Sequence, residues 1–372
     1  MKITKIEAIP VKVPLKPFLT TKTAHGEHVD SPYVIVRINT DEGLIGLGEA
    51  TLAPRWSGET SQSCLAAMNQ LIAPALVGKD PLNINVAIQK MDQVIKLNPF
   101  TKAAVEMALW DLAGKAAGQP VYQLLGGKVR NSIPVKTVIG AFLPEKVVEL
   151  TQYFLDQGFT SFKVKVGLDL ERDLERLDTV RKTIGSDMSM GIDANCGWDF
   201  STACAALPRM EQFQLSFCEQ PIQIGQHDAW KELRKFTEIP LMADESVFSV
   251  ADAWEICRQR SADILSIYPG KNGGISRTVA ICHLVEAAGL TCSIGSNLEL
   301  GIGSAAMLHV AAAMKVIDSE RFPADCLGPL FHEADLIQQP LSLGPVTAEL
   351  PTAIGLGVEL DEDQLKQWRT DI

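Results

Sequence analysis

No two cysteines in this chain stand at CxxC spacing. The eight present, at positions 64, 196, 204, 218, 257, 282, 292 and 326, are scattered, which suits neither a disulfide framework nor a zinc site. Several lie in apolar runs such as SFCEQP and TCSIGS, where a free thiol serves as a small core residue, and a reducing cytoplasm is the expected compartment. A basic excess is also missing. The formal net charge of −11 leaves nothing to neutralise phosphates and argues against nonspecific nucleic acid binding. An anionic substrate stays open, because a local metal and a few lysines outweigh a distant negative surface. No run of 18 apolar residues occurs; the nearest, around 301 to 314, is broken by Ser304 and His309, so no membrane span is expected. The opening MKITKIEAIPVKVP alternates charged and apolar residues and does not read as a signal peptide. Gly43, Gly46 and Gly48 do not form GxGxxG, and no βαβ crossover follows, so no phosphate cradle is expected there.

What is present is a soluble, globular composition, 46% hydrophobic and 21% charged, in 372 residues. That length predicts one large domain and a smaller one. Residues 1–130 read as an α+β capping domain. Its segments ITKIEAIPVKV and YVIVRINT alternate like strands, and DEGLIGLGEA turns into a third. Between the first two lies LKPFLTTKTAHGEHVDS, a long polar loop with Lys22, His25, Glu27 and His28, read as a lid that presents Lys22 and His25 to a substrate. The stretch TKAAVEMALWDLAGKAAG reads as a helix with Val105, Leu109, Leu112 and Ala116 on one core-facing side.

From 131 to 335 short apolar runs alternate with amphipathic helical segments: IPVKTVIG, SFKVKVG, MSMGIDAN, LSFCEQP, PLMADES, ADILSIYP, TCSIGSN and PADCLG. Polar residues end these runs at an even spacing, from Lys165 to Asp193, Glu219, Asp244, Lys271, Glu299 and Asp325, each step between 25 and 28 residues. Repeated βα units with one polar residue at each strand end predict a (β/α) barrel with its site on that face. An open doubly wound sheet would not gather six consecutive strand ends around one point. The tail, 336–372, is turn-rich, ends in a short helix and is expected to pack back on the cap.

In FKVKVG, strand alternation puts Lys163 and Lys165 on one face. Two ammonium groups roughly 4 Å apart repel by about 4 kcal/mol at an effective dielectric near 20, which predicts a lysine poised to release its proton. Asp193, Glu219 and Asp244 end three consecutive strands. Three converging carboxylates call for a hard divalent ion, and an all-oxygen set suits Mg2+ or Mn2+. Asn195 shares a strand face with Asp193 and can bond a ligand or a lysine, whereas Glu245 is expected to point away from Asp244. Lys271 should face the lysine pair across the barrel mouth, and Glu299 is placed to bond a substrate carboxylate.

These residues resemble the enolase superfamily, specifically its muconate lactonising subgroup. The resemblance rests on AxWDLxGKxxGxPVxxLLGG at 108 to 127, KxK at 163, DAN at 193, EQP at 219, ADES at 243, KNGG at 271 and GPLF at 328. It implies an α+β cap on a modified (β/α)7β TIM barrel and a homo-oligomer acting on a small carboxylate. It also implies Mg2+ or Mn2+ on Asp193, Glu219 and Asp244, with proton transfer next to a carboxylate. By the same resemblance Lys165 is the acid/base on one face, Lys163 tunes it, and Lys271 serves the opposite face. The histidine base of the mandelate racemase subgroup is missing after TCSIGSN, and ADCLGPLF lacks the DxD that grips a dipeptide amine. Muconate cycloisomerisation is the leading expectation, and racemisation of N-acylated amino acids the alternative. Tyr268 and Pro269, where relatives often carry a lysine before the apolar residue, are expected to reshape the wall.

Overall fold

The computed structural model describes residues 1–371. Strand Ile3–Pro14 pairs antiparallel with Asp30–Thr40, which pairs in turn with Ile45–Thr51. Helix Pro99–Ala117 lies directly on that third strand. The contact is backbone to backbone, since a Cβ at Gly48 would sit 1.8 Å from the Ala104 carbonyl oxygen and one at Gly46 would sit 2.2 Å from that of Ala108. Val105, Leu109 and Leu112 are buried as expected, but Ala116 is exposed on the last turn. Nearly every side of this helix is covered, charged residues included. Glu106 accepts the Ile275 and Ser276 amides at the start of helix Ile275–Ala287, at 2.6 and 2.8 Å, and so joins cap to barrel.

The expected loop between the first two cap strands is folded. A 3-10 turn, Pro17–Leu19, leads into a hairpin of Thr21–Thr23 and Gly26–His28, with Thr21 opposite His28 and Lys22 opposite Glu27. The β-branched threonines favour strands, and Gly26 at φ 111° supplies the turn.

Beyond the cap, seven parallel strands are hydrogen-bonded in chain order: Thr137–Ile139, Ser161–Lys165, Ser189–Asp193, Cys218–Glu219, Leu241–Ala243, Ile264–Ile267 and Thr291–Ile294. The eighth, PADCLG, forms no extended strand, because Pro323 has no amide to give a ladder. Its residues still join the two edges. Ala324 donates to Pro134 at 2.7 Å and accepts from Lys136 at 3.0 Å, and Asp325 donates to Ile294 at 2.9 Å. The barrel therefore closes, and the C-terminal ends of its strands converge beneath the hairpin.

The tail pairs Thr347–Glu349 with Ser132–Pro134, then returns to the cap, where the Thr370 amide bonds Pro10 and Arg37 bonds Glu362. All eight cysteines are free, seven of them buried. Among the described residues no helix is long and apolar enough to cross a membrane.

Candidate active site

The strand ends place the polar residues in one layer. Asp193 and Glu219 are register partners on adjacent strands, and Lys165 is the register partner of Asp193 on the other side. Lys165 Nζ donates to Asp193 Oδ2 at 2.5 Å and to Asn195 Oδ1 at 2.9 Å. Lys163 Nζ lies 3.0 Å from Glu219, 3.6 Å from Asp193 and 2.5 Å from Asp325. Asp325, at the closing segment, was not singled out in the sequence as a site residue. Only its place in the even spacing hinted at it.

Mutual repulsion of the two lysines does not govern Lys163. Burial works to lower its pKa, but Asp325, Glu219 and Asp193 together hold it well above the usual lysine range, so it stays an ammonium. The same exchange acts on the acids. Burial opposes the charged forms of Asp193 and Asp325, yet the neighbouring lysines keep both below the usual carboxylate range. Glu219 and Asp244 are pushed up, first by burial and further by nearby carboxylates.

Lys271 sits on a one-turn helix, Pro269–Asn272, opened by Pro269 and closed by Gly273 in the left-handed region. Asn272 locks the turn by accepting the Tyr268 amide at 3.0 Å and donating to Val247 at 3.0 Å. The Lys271 ammonium is fully buried. It bonds the Asp244 carboxylate, the Asp244 carbonyl at 2.8 Å and the Ser266 carbonyl at 2.9 Å. The amines of Lys165 and Lys271 thus bracket the acids from the second and sixth strands, each in contact with a different one.

A cavity of about 440 Å³ lies over this layer, a volume in the range of small-molecule sites. Lys163, Lys165, Asp193, Asn195, Asp244 and Asp325 form its floor; Leu52, Trp56 and Leu298 give it apolar walls; the hairpin roofs it. Within the hairpin, Thr21, Thr23, His25, Glu27 and His28 line the cavity and Lys22 does not. Lys22 therefore stands outside the cavity wall, contrary to expectation. Glu299 also lies behind the wall. It accepts from Ser296 Oγ at 2.6 Å, and burial raises its carboxyl to about 7. Ser296 and Asn297 face the cavity in its place. Tyr268 is buried against Trp56, ring centroids 6.3 Å apart, and its hydroxyl has no partner among the described residues.

A family model described as mandelate racemase / muconate lactonizing enzyme, N-terminal domain, matches residues 3–126, and one described as enolase C-terminal domain-like matches residues 146–364. The chain belongs to the enolase superfamily, in its muconate lactonizing subgroup. N-succinyl-L-Arg/Lys racemase of Bacillus cereus is 35% identical over 369 residues, covering 99% of this chain and 98% of that protein. A crystal structure of N-succinyl Arg/Lys racemase from Bacillus cereus matches with a TM-score of 0.95 and 33% identity, over 100% of this chain and 98% of that one. Muconate cycloisomerase 1 of Rhodococcus opacus is 32% identical over 369 residues, 98% of this chain and 96% of that protein. A dipeptide epimerase from Cytophaga hutchinsonii, solved with Mg and D-Ala-L-Val, has a TM-score of 0.94 and 32% identity over 99% of this chain and 98% of that one. This enolase superfamily member is accordingly an isomerase.

Enolase superfamily members bind Mg2+, and the donors here can be tested for it. Among the described residues no three His, Cys, Asp or Glu groups converge closely enough to hold an ion as they stand. Each of the three carboxylates is instead turned to an ammonium: Asp193 to Lys165, Glu219 to Lys163 and Asp244 to Lys271. Buried acids nevertheless outnumber lysines. Asp193, Glu219, Asp244, Glu245 and Asp325 stand against Lys136, Lys163, Lys165 and Lys271, and burial strains Glu219 and Asp244 toward protonation. An all-oxygen set with excess negative charge fits a hard divalent cation in chemistry and in charge.

Glu245 corrects the sequence reading. The fifth strand ends at Ala243, so alternation no longer applies one residue past Asp244. Glu245 turns inward, where its Oε1 accepts from Asn195 at 3.0 Å and meets His25 Nε2 at 3.1 Å.

Proposed function

We propose that this enzyme racemises N-acylated amino acids by moving the α-proton from one face to the other. The observation that carries the reading is the pair of amines, Lys165 and Lys271, bracketing the acids from opposite strands. A 1,1-proton transfer needs a base on one face and an acid on the other, whereas lactonisation needs a proton delivered to one face only. Cavity size supports it too, since about 440 Å³ leaves room for an acyl group and a side chain beyond the carboxylate.

Asp193, Glu219 and Asp244 would hold a divalent ion, which when bound neutralises the acids and the substrate carboxylate and frees the lysines to exchange protons. The Lys165 amine then takes the α-proton, leaving the C–H electron pair in an enolate. The Lys271 ammonium gives its proton to the opposite face, forming the new C–H bond with inverted configuration. Lys163 stays charged throughout and offsets the negative charge of the floor. The hairpin and Trp56 exclude water from the reacting carbon.

Muconate lactonisation is the second reading, and one observation favours it. Lys271 is fully buried behind Asp244 and absent from the cavity wall, as suits chemistry that uses Lys165 alone. Incubation of N-succinyl-L-arginine, N-succinyl-L-lysine and cis,cis-muconate with enzyme and Mg2+ in D2O separates the two. Loss of optical rotation with α-deuterium incorporation is the expected outcome. Lactone formation from muconate, with the N-succinyl amino acids recovered unlabelled, overturns racemisation in favour of the second reading.

A further inference from the structure

An unbroken hydrogen-bonded path runs from the lid to the base. In the hairpin, the His25 amide is fixed by Thr23 Oγ1 at 3.0 Å, and its ring reaches down to Glu245 Oε1 at 3.1 Å. The same Oε1 accepts from Asn195 Nδ2 at 3.0 Å. Asn195 Oδ1, at the other end of that amide, accepts from Lys165 Nζ at 2.9 Å. We infer that Glu245 is a positioning residue that ties the seating of the lid to the aim of the Lys165 amine. This deepens the racemase reading and rests on it.

Three features support the inference. Asn195 sits at φ 43°, in the left-handed region that asparagine tolerates, and its own amide donates to Asp193 Oδ1 at 2.9 Å, which fixes the backbone from which the side chain reaches both partners. Its amide has one orientation that satisfies both ends, the oxygen toward the ammonium and the nitrogen toward the carboxylate. Glu245 is buried and among the described residues its Oε2 has no partner, so Oε1 alone carries the link and Asn195 is the one partner left to the carboxylate if His25 leaves.

His25 also has an alternative partner. Trp56 Nε1 donates toward the same Nε2 at 3.1 Å. One ring nitrogen cannot accept from the indole and donate to the carboxylate at once. With the proton on Nε2 the hairpin is tied to the barrel through Glu245. With it on Nδ1 the hairpin is tied to Trp56 of the cap, and Glu245 keeps only its bond to Asn195. The lid thus has two ways to be held, and only one of them reaches Lys165.

Because Lys165 serves one face and Lys271 bonds only Asp244 and backbone carbonyls, breaking the path should act on one face. The test uses Glu245→Ala, His25→Ala and the conservative Glu245→Gln in the full-length enzyme with Mg2+. Exchange of the α-proton with D2O is followed separately from N-succinyl-L-arginine and N-succinyl-D-arginine. Glu245→Ala and His25→Ala should lower kcat for exchange about 10- to 100-fold from the enantiomer whose proton Lys165 removes. Exchange from the other should change less than about threefold, KM should move little, and Glu245→Gln should recover most of the loss. Equal losses from both enantiomers, or none from either, overturn the inference. Amide hydrogen exchange across 21–28 in the ligand-free enzyme is the independent arm. Glu245→Ala should expose the hairpin, and unchanged protection overturns the link even if the wild type turns over neither enantiomer, a result that would refute the racemase reading separately.

Discussion

Replacing Lys163 with methionine tests the electrostatics of the floor directly. Methionine keeps most of the length and apolar stem but removes an ammonium that lies 2.5 Å from Asp325, 3.0 Å from Glu219 and 3.6 Å from Asp193. Asp193 retains Lys165 at 2.5 Å. Among the described residues, Glu219 loses the one side chain that donates to it, and Asp325 the one that bridges to it. Removing one member of a buried ion pair costs about 3–5 kcal/mol, because the remaining charge is left dry and uncompensated. For a chain of 372 residues that is roughly 4–6 °C in Tm. The loss has a built-in ceiling, since a stranded carboxylate can take up a proton.

That ceiling fixes the sign of the pH dependence. In the wild type the folded pKa of Asp325 is depressed, so its contribution is present above the unfolded value and lost as pH falls. In Lys163→Met the folded pKa values of Glu219 and Asp325 must rise, so the native state binds more protons than the unfolded one and the variant loses stability as pH rises. The first effect acts only below the ordinary Asp value of 3.8, so between pH 7.5 and 5.5 the gap narrows through the raised carboxyls of the variant. Reversible urea unfolding in EDTA should therefore give the full difference at pH 7.5 and a clearly smaller one at pH 5.5. A difference below about 1 kcal/mol at pH 7.5, or one that is the same at both pH values, refutes the reasoning, because stranded buried carboxylates could then not be its source.

Two further outcomes follow from geometry outside the floor. Gly48→Ala forces a methyl to within 1.8 Å of the Ala104 carbonyl oxygen, where both partners are backbone. Sheet and helix must separate, at a cost of about 3 kcal/mol or more in chemical denaturation, and a loss under about 1 kcal/mol would mean that the helix is not seated as described. Burial raises the Glu49 carboxyl to about 8, although the Gly303 and Leu300 amides donate to it. Its folded pKa lies above the unfolded value, so stability should fall as pH rises from about 5 to about 8 and level off beyond. Thermal unfolding at fixed Mg2+ reads this slope, and Glu49→Gln should flatten it; an unchanged slope in the variant assigns it elsewhere.

The barrel was legible because its signal is repeated. One polar residue at each strand end, every 25 to 28 positions, survives local irregularity, and six of those residues do lie in one layer. Period two was equally informative where a strand exists, as for Lys163 with Lys165. It fails one step past a strand's end, at Glu245, and the polar run around Lys22 hides the hairpin on which that residue sits. The eighth barrel segment reads as a strand in composition but pairs through isolated bonds to two neighbours, a distinction set by Pro323 and by closure rather than by pattern.

The larger error concerned charge, and its cause is general. Repulsion between Lys163 and Lys165 is a two-body estimate made from residues two apart in sequence, whereas the potential at Lys163 is set by Asp325, Glu219 and Asp193, brought in by the closing, fourth and third segments. A contact between residues 163 and 325 leaves no trace in local pattern, yet at these separations and burial it outweighs the neighbouring lysine. The consequence divides the two amines that the sequence presents as equivalents. Lys163, surrounded by three carboxylates, is held as a cation, whereas Lys165 meets one acid, Asp193, and the Asn195 amide oxygen, the setting in which the proposed proton exchange would take place.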